Sequence, residues 1–85
     1  MNLQWSPNGW EDYVYWQTQD RKTLKRINNL IKAILQDPFR GIGKPEPLKY
    51  ELSTVWSRRI DEANRILYVV KEDVVIITAC RSHYE

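Results

Sequence analysis

The sequence predicts an α+β fold, in which a leading strand and two helices are followed by an antiparallel β-meander. Two segments of the first half place apolar residues at helical spacing, whereas the second half is rich in β-branched and aromatic residues interrupted by short polar turns. Pro and Gly concentrate between these halves. We expect the helices to cover one face of the sheet and the other face to stay open to a ligand.

A short strand is predicted over Leu3–Trp5, with a helix directly after it. Ser6 is a favoured N-cap residue, and Pro7 suits the first helical position because its missing N–H would have no partner there. Apolar residues then recur at offsets 0, 3 and 4 from Trp10. This spacing gives the first helix one aromatic face.

The second helix is predicted to begin after Asp20, a favourable N-cap, and to end before Pro38. Its apolar stripe extends for roughly four turns. The residues of the stripe are Leu24, Ile27, Ile31, Ile34 and Leu35. The remaining surface carries cations with no acid between them, namely Arg21, Lys22, Lys25, Arg26 and Lys32. One side of this helix is therefore expected to pack in the core, and the other to be strongly cationic.

A loop is predicted over Asp37–Pro47, where three of the eleven residues are Pro and two are Gly. Three strands are predicted after it, over Val55–Asp61, Arg65–Lys71 and Val74–Arg81. The short segments between these strands suit tight antiparallel hairpins, so a three-strand meander is the natural interpretation.

Composition narrows the class of protein. The 85 residues are 42% hydrophobic and 28% charged, which is typical of one folded domain over residues 1–85. One Cys and one His cannot supply an intramolecular disulfide or a Cys/His metal site, so we expect neither a metal nor another cofactor. The sequence shows no signal peptide and no apolar stretch of ~20 residues, so we expect a cytoplasmic protein that does not associate with a membrane.

The net charge of +2 conceals an uneven distribution along the chain. Residues 1–20 carry a net charge of −3, residues 21–49 carry +6, and residues 50–85 carry −1. A local cationic surface of this kind can bind RNA in a salt-sensitive way although the total charge is small.

A metal-free ribonuclease needs a base, an acid and cations, and the chain contains candidates for all three. Glu46 lies between two prolines that restrict its backbone, and His83 follows the last predicted strand. Because there is only one His, the base would be a carboxylate and His83 the acid. The residues alone leave simpler interpretations open, in which Glu46 is a surface-loop acid and His83 a solvated terminal residue.

Five cations of the second half are candidates for binding a phosphate: Lys44, Lys49, Arg58, Arg59 and Arg65. Cations on exposed strands also serve simply to blunt edges and maintain solubility, so this alternative stays open. Tyr84 is a candidate for stacking on a base, or for packing on the sheet.

Three stretches of sequence together resemble one protein family. They are LxWSxxxWEDYxYW near the start, GxGKPEPLKxxLSxxWSRRIDExxRxxYxV in the middle and CRxHY at the end. In this combination the chain resembles the YoeB-type (Txe) toxins of the RelE/ParE superfamily, which occur in bacterial type II toxin–antitoxin pairs. The resemblance covers Leu3 to Tyr84, and Glu85 follows where the family pattern commonly ends.

The resemblance implies an mRNA interferase that enters the ribosomal A site, uses the RNA 2′-OH as nucleophile and leaves a 2′,3′-cyclic phosphate. It implies Glu46 as general base, His83 as general acid and Arg65 as the residue that stabilises the phosphate. Further residues that would hold the substrate or add positive charge are Tyr84, Lys49 and Arg59. The cationic surface of the second helix would contact ribosomal RNA.

The resemblance also implies partners. These are the ribosome and a cognate antitoxin of the YefM/Axe type, whose acidic C-terminal segment would cover or distort the active site. DNA would be contacted only indirectly, through the antitoxin, and a homodimer is a further expectation. Two alternatives are a ParE-like gyrase poison of the same fold, which lacks the acid–base pair, and an RNA-binding module that does not cut. GKPEPLK and the terminal His-Tyr pair favour the nuclease.

Overall fold

Two helices and five strands form the part of the chain that our computed structural model describes, residues 1–48 and 54–81. In chain order they are β1 (Asn2–Trp5), α1 (Pro7–Gln19), α2 (Arg21–Gln36), β2 (Glu46–Pro47), β3 (Val55–Arg59), β4 (Arg65–Lys71) and β5 (Val74–Ala79). The predicted α+β class is confirmed, with both helices and all four predicted strands at the expected places. Within the described residues, no helix combines the length and apolar character needed to cross a membrane.

The five strands form one mixed sheet in the order β1-β5-β4-β3-β2. Strands β3, β4 and β5 pair antiparallel in sequence, as the predicted meander requires. Strand β1 pairs parallel with β5, so that Leu3 lies opposite Val75 and Trp5 opposite Ile77. A parallel pair needs a long crossover connection, and the helices lie within it. The first and last described parts of the chain therefore meet in the sheet.

The core lies between α2 and one face of the sheet. The residues of α2 that are buried are Ile27, Leu30, Ile31 and Ile34, and they share one cluster with Ile66, Tyr68, Val75 and Ile77 of β4 and β5. Leu30, which the predicted stripe omitted, is fully buried, whereas Leu24 and Leu35 only pack against the cluster. Each fully buried Leu or Ile side chain stabilises the fold by roughly 1.5–3 kcal/mol, so this face holds α2 on the sheet.

Both predicted helix caps are confirmed. The Ser6 Oγ accepts a hydrogen bond from the Gly9 N–H at 3.0 Å and donates one to the Thr78 carbonyl at 3.2 Å, which ties the start of α1 to β5. Asp20 accepts hydrogen bonds from the Thr23 hydroxyl and from two backbone N–H groups at the start of α2. These bonds, chiefly those from Thr23, hold the pKa of Asp20 below its usual value.

The predicted loop and two strand ends need correction. Residues 46–47 are not loop but the edge strand β2, where a proline is tolerated because one edge of the strand makes no ladder hydrogen bonds. Strand β3 ends at Arg59 rather than Asp61, because the N–H groups of Ile60 and Asp61 both donate to the Asn64 carbonyl and close a turn.

Strand β5 ends at Ala79 rather than Arg81, because side chains of α1 bind the backbone of Cys80. The Asp12 carboxylate accepts a hydrogen bond from the Cys80 N–H at 3.0 Å, and the Trp16 indole donates one to the Cys80 carbonyl at 2.8 Å. The Arg81 guanidinium lies over the Tyr15 ring, 3.7 Å from its centroid. The WEDYxYW stretch of α1 therefore anchors the chain immediately before residues 82–85.

This anchoring leads to a prediction about Cys80, whose thiol is buried. Burial, and secondarily the nearby Asp12 carboxylate, raises the pKa of Cys80 to about 12. The thiol therefore stays protonated at pH 8, and we expect an Ellman-type disulfide reagent to label the native protein far more slowly than the urea-unfolded protein. The stability linked to this thiol is complete below pH 9 and declines as the pH rises towards 12. Rapid labelling of the native protein at pH 8 would contradict this account.

Candidate active site

The face of the sheet opposite α2 carries the candidate active site. In β3, Trp56 and Arg58 point towards the core, so the side chain of Ser57 between them points to the other face. Glu46 of β2 lies opposite Ser57 across the β2–β3 pair. Arg65, at the start of β4, reaches the same face from the next strand. Three strands thus bring a carboxylate, a hydroxyl and a guanidinium together.

The distances place Arg65 between its two neighbours. Its Nη1 lies 3.2 Å from the Ser57 Oγ and 3.6 Å from a Glu46 carboxylate oxygen. The side chain of Glu46 is 50% exposed and that of Arg65 is 33% exposed, so a ligand can reach both. A pair this exposed contributes only about 0–1 kcal/mol to stability, so it adds little to holding the fold together. Chemically, the carboxylate can accept a proton while the guanidinium binds an anion.

Arg59 adds a second cation to this face. It is exposed and lies directly opposite Arg65 across the β3–β4 pair. Directly opposite residues of an antiparallel pair project from the same face, and two like charges in that position repel one another. The arrangement therefore favours binding of an anion near both guanidinium groups.

The prediction that Arg58 binds phosphate is wrong. Its side chain is fully buried on the core face, because it alternates with Ser57 and Arg59 along β3. Its guanidinium donates to the Tyr68 hydroxyl and to three loop carbonyls, those of Asp37, Arg40 and Ile42. Arg58 therefore binds this protein's own backbone.

Lys44 lies at the end of the loop that leads to β2. It is exposed, and its φ of 52° is in the left-handed region that non-glycine residues rarely adopt. The Gly43 carbonyl, immediately before it, accepts a hydrogen bond from the Arg59 N–H at 2.7 Å. A tightly turned backbone bonded to β3 therefore places Lys44 two residues before Glu46.

Four of the five candidate cations of α2 are exposed, namely Arg21, Lys22, Lys25 and Lys32. Arg26 differs, because its guanidinium donates to the Arg59 and Ile60 carbonyls at the end of β3. A shallow groove beside α1 is lined in part by Arg21, Lys25 and Gln17. The predicted cationic surface is therefore present, with Arg26 partly engaged in holding α2 to the sheet.

Three predicted site residues, Lys49, His83 and Tyr84, lie outside the described residues. Within residues 1–48 and 54–81, no group of three or more His, Cys, Asp or Glu side chains is placed to hold a metal ion. The sequence reasoning missed one residue that supports the site, Ser57, whose fully buried hydroxyl accepts a hydrogen bond from Arg65. Its alternation with Trp56 and Arg58 in β3 was the available signal.

The sequence is similar to a known family of proteins. Residues 5–84 match the family described as YoeB-like toxin of bacterial type II toxin-antitoxin system. Toxin YoeB of Escherichia coli K12 is 54% identical over 84 residues, which cover 99% of this chain and 100% of that protein.

Two solved structures from Staphylococcus aureus have the same fold. The YoeB dimer is 42% identical with a TM-score of 0.91, and a YoeB–YefM complex is 41% identical with a TM-score of 0.88; in both, the match covers 99% of this chain and 98% of the other. The family match, which spans nearly the whole chain, and the curated relative agree with the motifs and with the mixed sheet. The chain therefore belongs to the family of YoeB-like toxins of bacterial type II toxin–antitoxin systems.

Proposed function

We propose that this toxin is a ribosome-dependent mRNA interferase, an endoribonuclease that cuts mRNA in the ribosomal A site and so inhibits translation. The observation that carries the proposal is the half-exposed Glu46 carboxylate 3.6 Å from the Arg65 guanidinium on the face of the sheet opposite α2. A base beside an anion-binding group is what attack by a 2′-hydroxyl on the adjacent phosphate requires.

In the proposed reaction, Glu46 accepts the proton of the 2′-hydroxyl while the 2′ oxygen forms a bond to phosphorus. The bond from phosphorus to the 5′ oxygen breaks, and His83 donates a proton to that oxygen. The products are a 2′,3′-cyclic phosphate and a 5′-hydroxyl. Arg65 stabilises the charge that develops on the phosphate, and Tyr84 holds or stacks a base. No cofactor is needed.

The opposed arginines of β3 and β4 support the phosphate-binding part of this proposal. Arg59 and Arg65 lie across from one another, which is unfavourable without a counter-charge. A scissile phosphate bound near both would offset their repulsion. Lys44 and Lys49 would add positive charge around the same phosphate.

The ribosome is the proposed site of action, and the exposed cations of α2 are its proposed contacts. They lie on the outer surface of α2, apart from the Glu46–Arg65 pair on the opposite face of the sheet. Such an arrangement suits a protein that holds ribosomal RNA with one surface and mRNA with another. Cytoplasmic location follows from this substrate.

A cognate YefM/Axe-type antitoxin is the proposed regulatory partner. The related Staphylococcus aureus toxin is described in complex with YefM, and another structure is described as a dimer. An acidic, disordered antitoxin segment would complement the cations beside Glu46 and those of α2. Contact with DNA would be made by the antitoxin alone. We also propose a homodimer for this chain, because it is similar to the Staphylococcus aureus YoeB dimer.

The decisive experiment examines the ends of the cut RNA. Purified toxin is incubated with programmed ribosomes and mRNA, and the 3′ ends are mapped and analysed for cyclic phosphate. We expect one cut within the A-site codon, a 2′,3′-cyclic phosphate, and no cutting of the same mRNA without ribosomes. Intact mRNA on ribosomes that bind the toxin would instead indicate an RNA-binding module. Intact mRNA together with inhibition of purified gyrase would indicate a ParE-like toxin.

A further inference from the structure

The loop that leads to Glu46 is folded around a buried guanidinium. Arg58 donates from Nη2 to the Asp37 and Arg40 carbonyls, at 2.6 and 3.0 Å, and from Nη1 to the Ile42 carbonyl at 3.1 Å. A buried charge is costly unless its hydrogen bonds are satisfied, and here the loop backbone supplies most of them. The loop and this one side chain are therefore mutually dependent.

Tyr68 completes the arrangement from β4. Its hydroxyl accepts a hydrogen bond from Arg58 Nε at 3.1 Å and donates one to the Pro38 carbonyl at 2.6 Å. Burial raises the pKa of Tyr68, so the phenol remains available as a donor. Two core side chains thus bind four carbonyls of the loop, those of Asp37, Pro38, Arg40 and Ile42.

Two glycines allow the loop to approach so closely. A Cβ added to Gly43 would lie 2.7 Å from a Leu30 methyl carbon and 3.1 Å from the Arg58 Cβ. A Cβ added to Gly41 would lie 3.1 Å from Arg58 Nη1. Both glycines have positive φ, which other residues rarely adopt. The backbone is therefore shaped to enclose this guanidinium.

The strand that follows has few bonds of its own. β2 contains only Glu46 and Pro47 and lies at the sheet edge, and Pro45 precedes it. Proline has no backbone N–H, so in this stretch only Glu46 can donate a hydrogen bond. After β2, the Leu48 N–H donates to the Val55 carbonyl at 3.0 Å and extends the pairing with β3; before β2, the position of Glu46 depends on the loop that precedes it.

We propose that Arg58, with Tyr68, is a positioning residue that holds the 37–43 loop and so places the Glu46 carboxylate beside Arg65. Arg58 does not touch the substrate; it acts through the loop backbone. The catalytic consequence rests on the proposed function, in which Glu46 is the general base. The structural consequence, a loop that loosens without Arg58, does not depend on it.

The structural arm of the test measures hydrogen exchange of the Arg59 amide, which is bonded to the Gly43 carbonyl. We expect Arg58→Met to accelerate this exchange at least about tenfold relative to core amides of α2. Tyr68→Phe removes the hydroxyl that binds both Arg58 and the Pro38 carbonyl. We expect it to accelerate exchange of the Arg59 amide as well, but to a smaller extent. If Arg58→Met does not fold, the exchange rate of the Arg59 amide is measured in Tyr68→Phe instead. Val75→Ala, a core control away from the loop, should change exchange globally without this selective effect.

The catalytic arm is a double-mutant cycle with Glu46→Gln, measured by single-turnover cleavage on ribosomes. We expect Arg58→Met to lower the maximal single-turnover rate by up to about 10²-fold, the effect of a misplacement near 1 Å, and to leave the toxin concentration for half-maximal rate nearly unchanged. In the Glu46→Gln background the same change should have almost no further effect, because the group that it positions is already removed. A merely destabilising role would lower activity equally in both backgrounds.

The outcomes separate the two proposals. If Glu46→Gln cleaves normally, the assignment of the base is wrong, whatever Arg58 does. If Glu46→Gln is inactive but Arg58→Met retains normal exchange or normal cleavage, the positioning role is wrong and the base assignment stands. Additive losses in the cycle also exclude a role through Glu46.

Discussion

Replacement of Glu46 by Gln is expected to lower A-site cleavage by about 10²–10⁴-fold, the contribution of one proton-transfer partner. Gln has nearly the same shape and cannot accept a proton from the 2′-hydroxyl at neutral pH. The backbone pairing of β2 with β3 does not involve the side chain, so the fold should persist. The measurement is the rate of single-turnover cleavage on programmed ribosomes.

Glu62→Gln is the matched control, because Glu62 is an exposed acid in the turn between β3 and β4 and its replacement changes the net charge equally. It should cleave like the wild type. If both variants cleaved equally slowly, the loss of activity would come from the change in net charge, which weakens binding to the ribosome, and not from the loss of a base. Normal cleavage by Glu46→Gln would remove Glu46 from the mechanism.

Replacement of Gly9 by Ala is expected to destabilise the fold by about 3 kcal/mol, the upper range for an overpacked contact. Gly9 lies in the first turn of α1, where the helix crosses β5, and an added Cβ would overlap the Ile77 carbonyl oxygen. In most helices the same change stabilises by about 1 kcal/mol, so the tertiary contact reverses the sign. Urea unfolding should show a lower midpoint with an unchanged slope.

Val14→Ala tests whether this loss is specific to the position of Gly9. Val14 is 44% exposed in the same helix, and we expect its replacement to change stability by no more than about 0.5 kcal/mol. A Gly9→Ala protein as stable as the wild type would show that α1 can move away from β5. It would then also call into question the hydrogen bond that Cys80 donates to Asp12 and the one that Cys80 accepts from Trp16.

Local patterns were sufficient to predict most of the fold. The apolar stripe of α2 and the caps at Ser6 and Asp20 depend on residues a few positions apart, which interact within one element. The meander followed from short turns between β-rich segments. Strand β2 was not predicted, because Pro45 and Pro47 indicate a loop and only the presence of β3 beside Glu46 makes a ladder.

The site was predicted only in part. The Glu46–Arg65 pair was inferred from family resemblance, since the two residues are distant in sequence and no local pattern links them. Arg58 and Arg59 are neighbours of the same residue type, so composition could not distinguish the buried one from the exposed one. The alternation of β3 assigns them to opposite faces, but only the packed helix identifies which face is the core.

By itself the sequence determined both helices, the strands other than β2, the family and the cationic character of α2, because these depend on residue type and short-range spacing. The tertiary structure alone decided the parallel pairing of β1 with β5, the anchoring of Cys80 by Asp12 and Trp16, and the burial of Arg58 within the 37–43 loop. Each of these contacts joins parts of the chain far apart in sequence. Their geometry depends on how the layers pack, which local patterns do not encode.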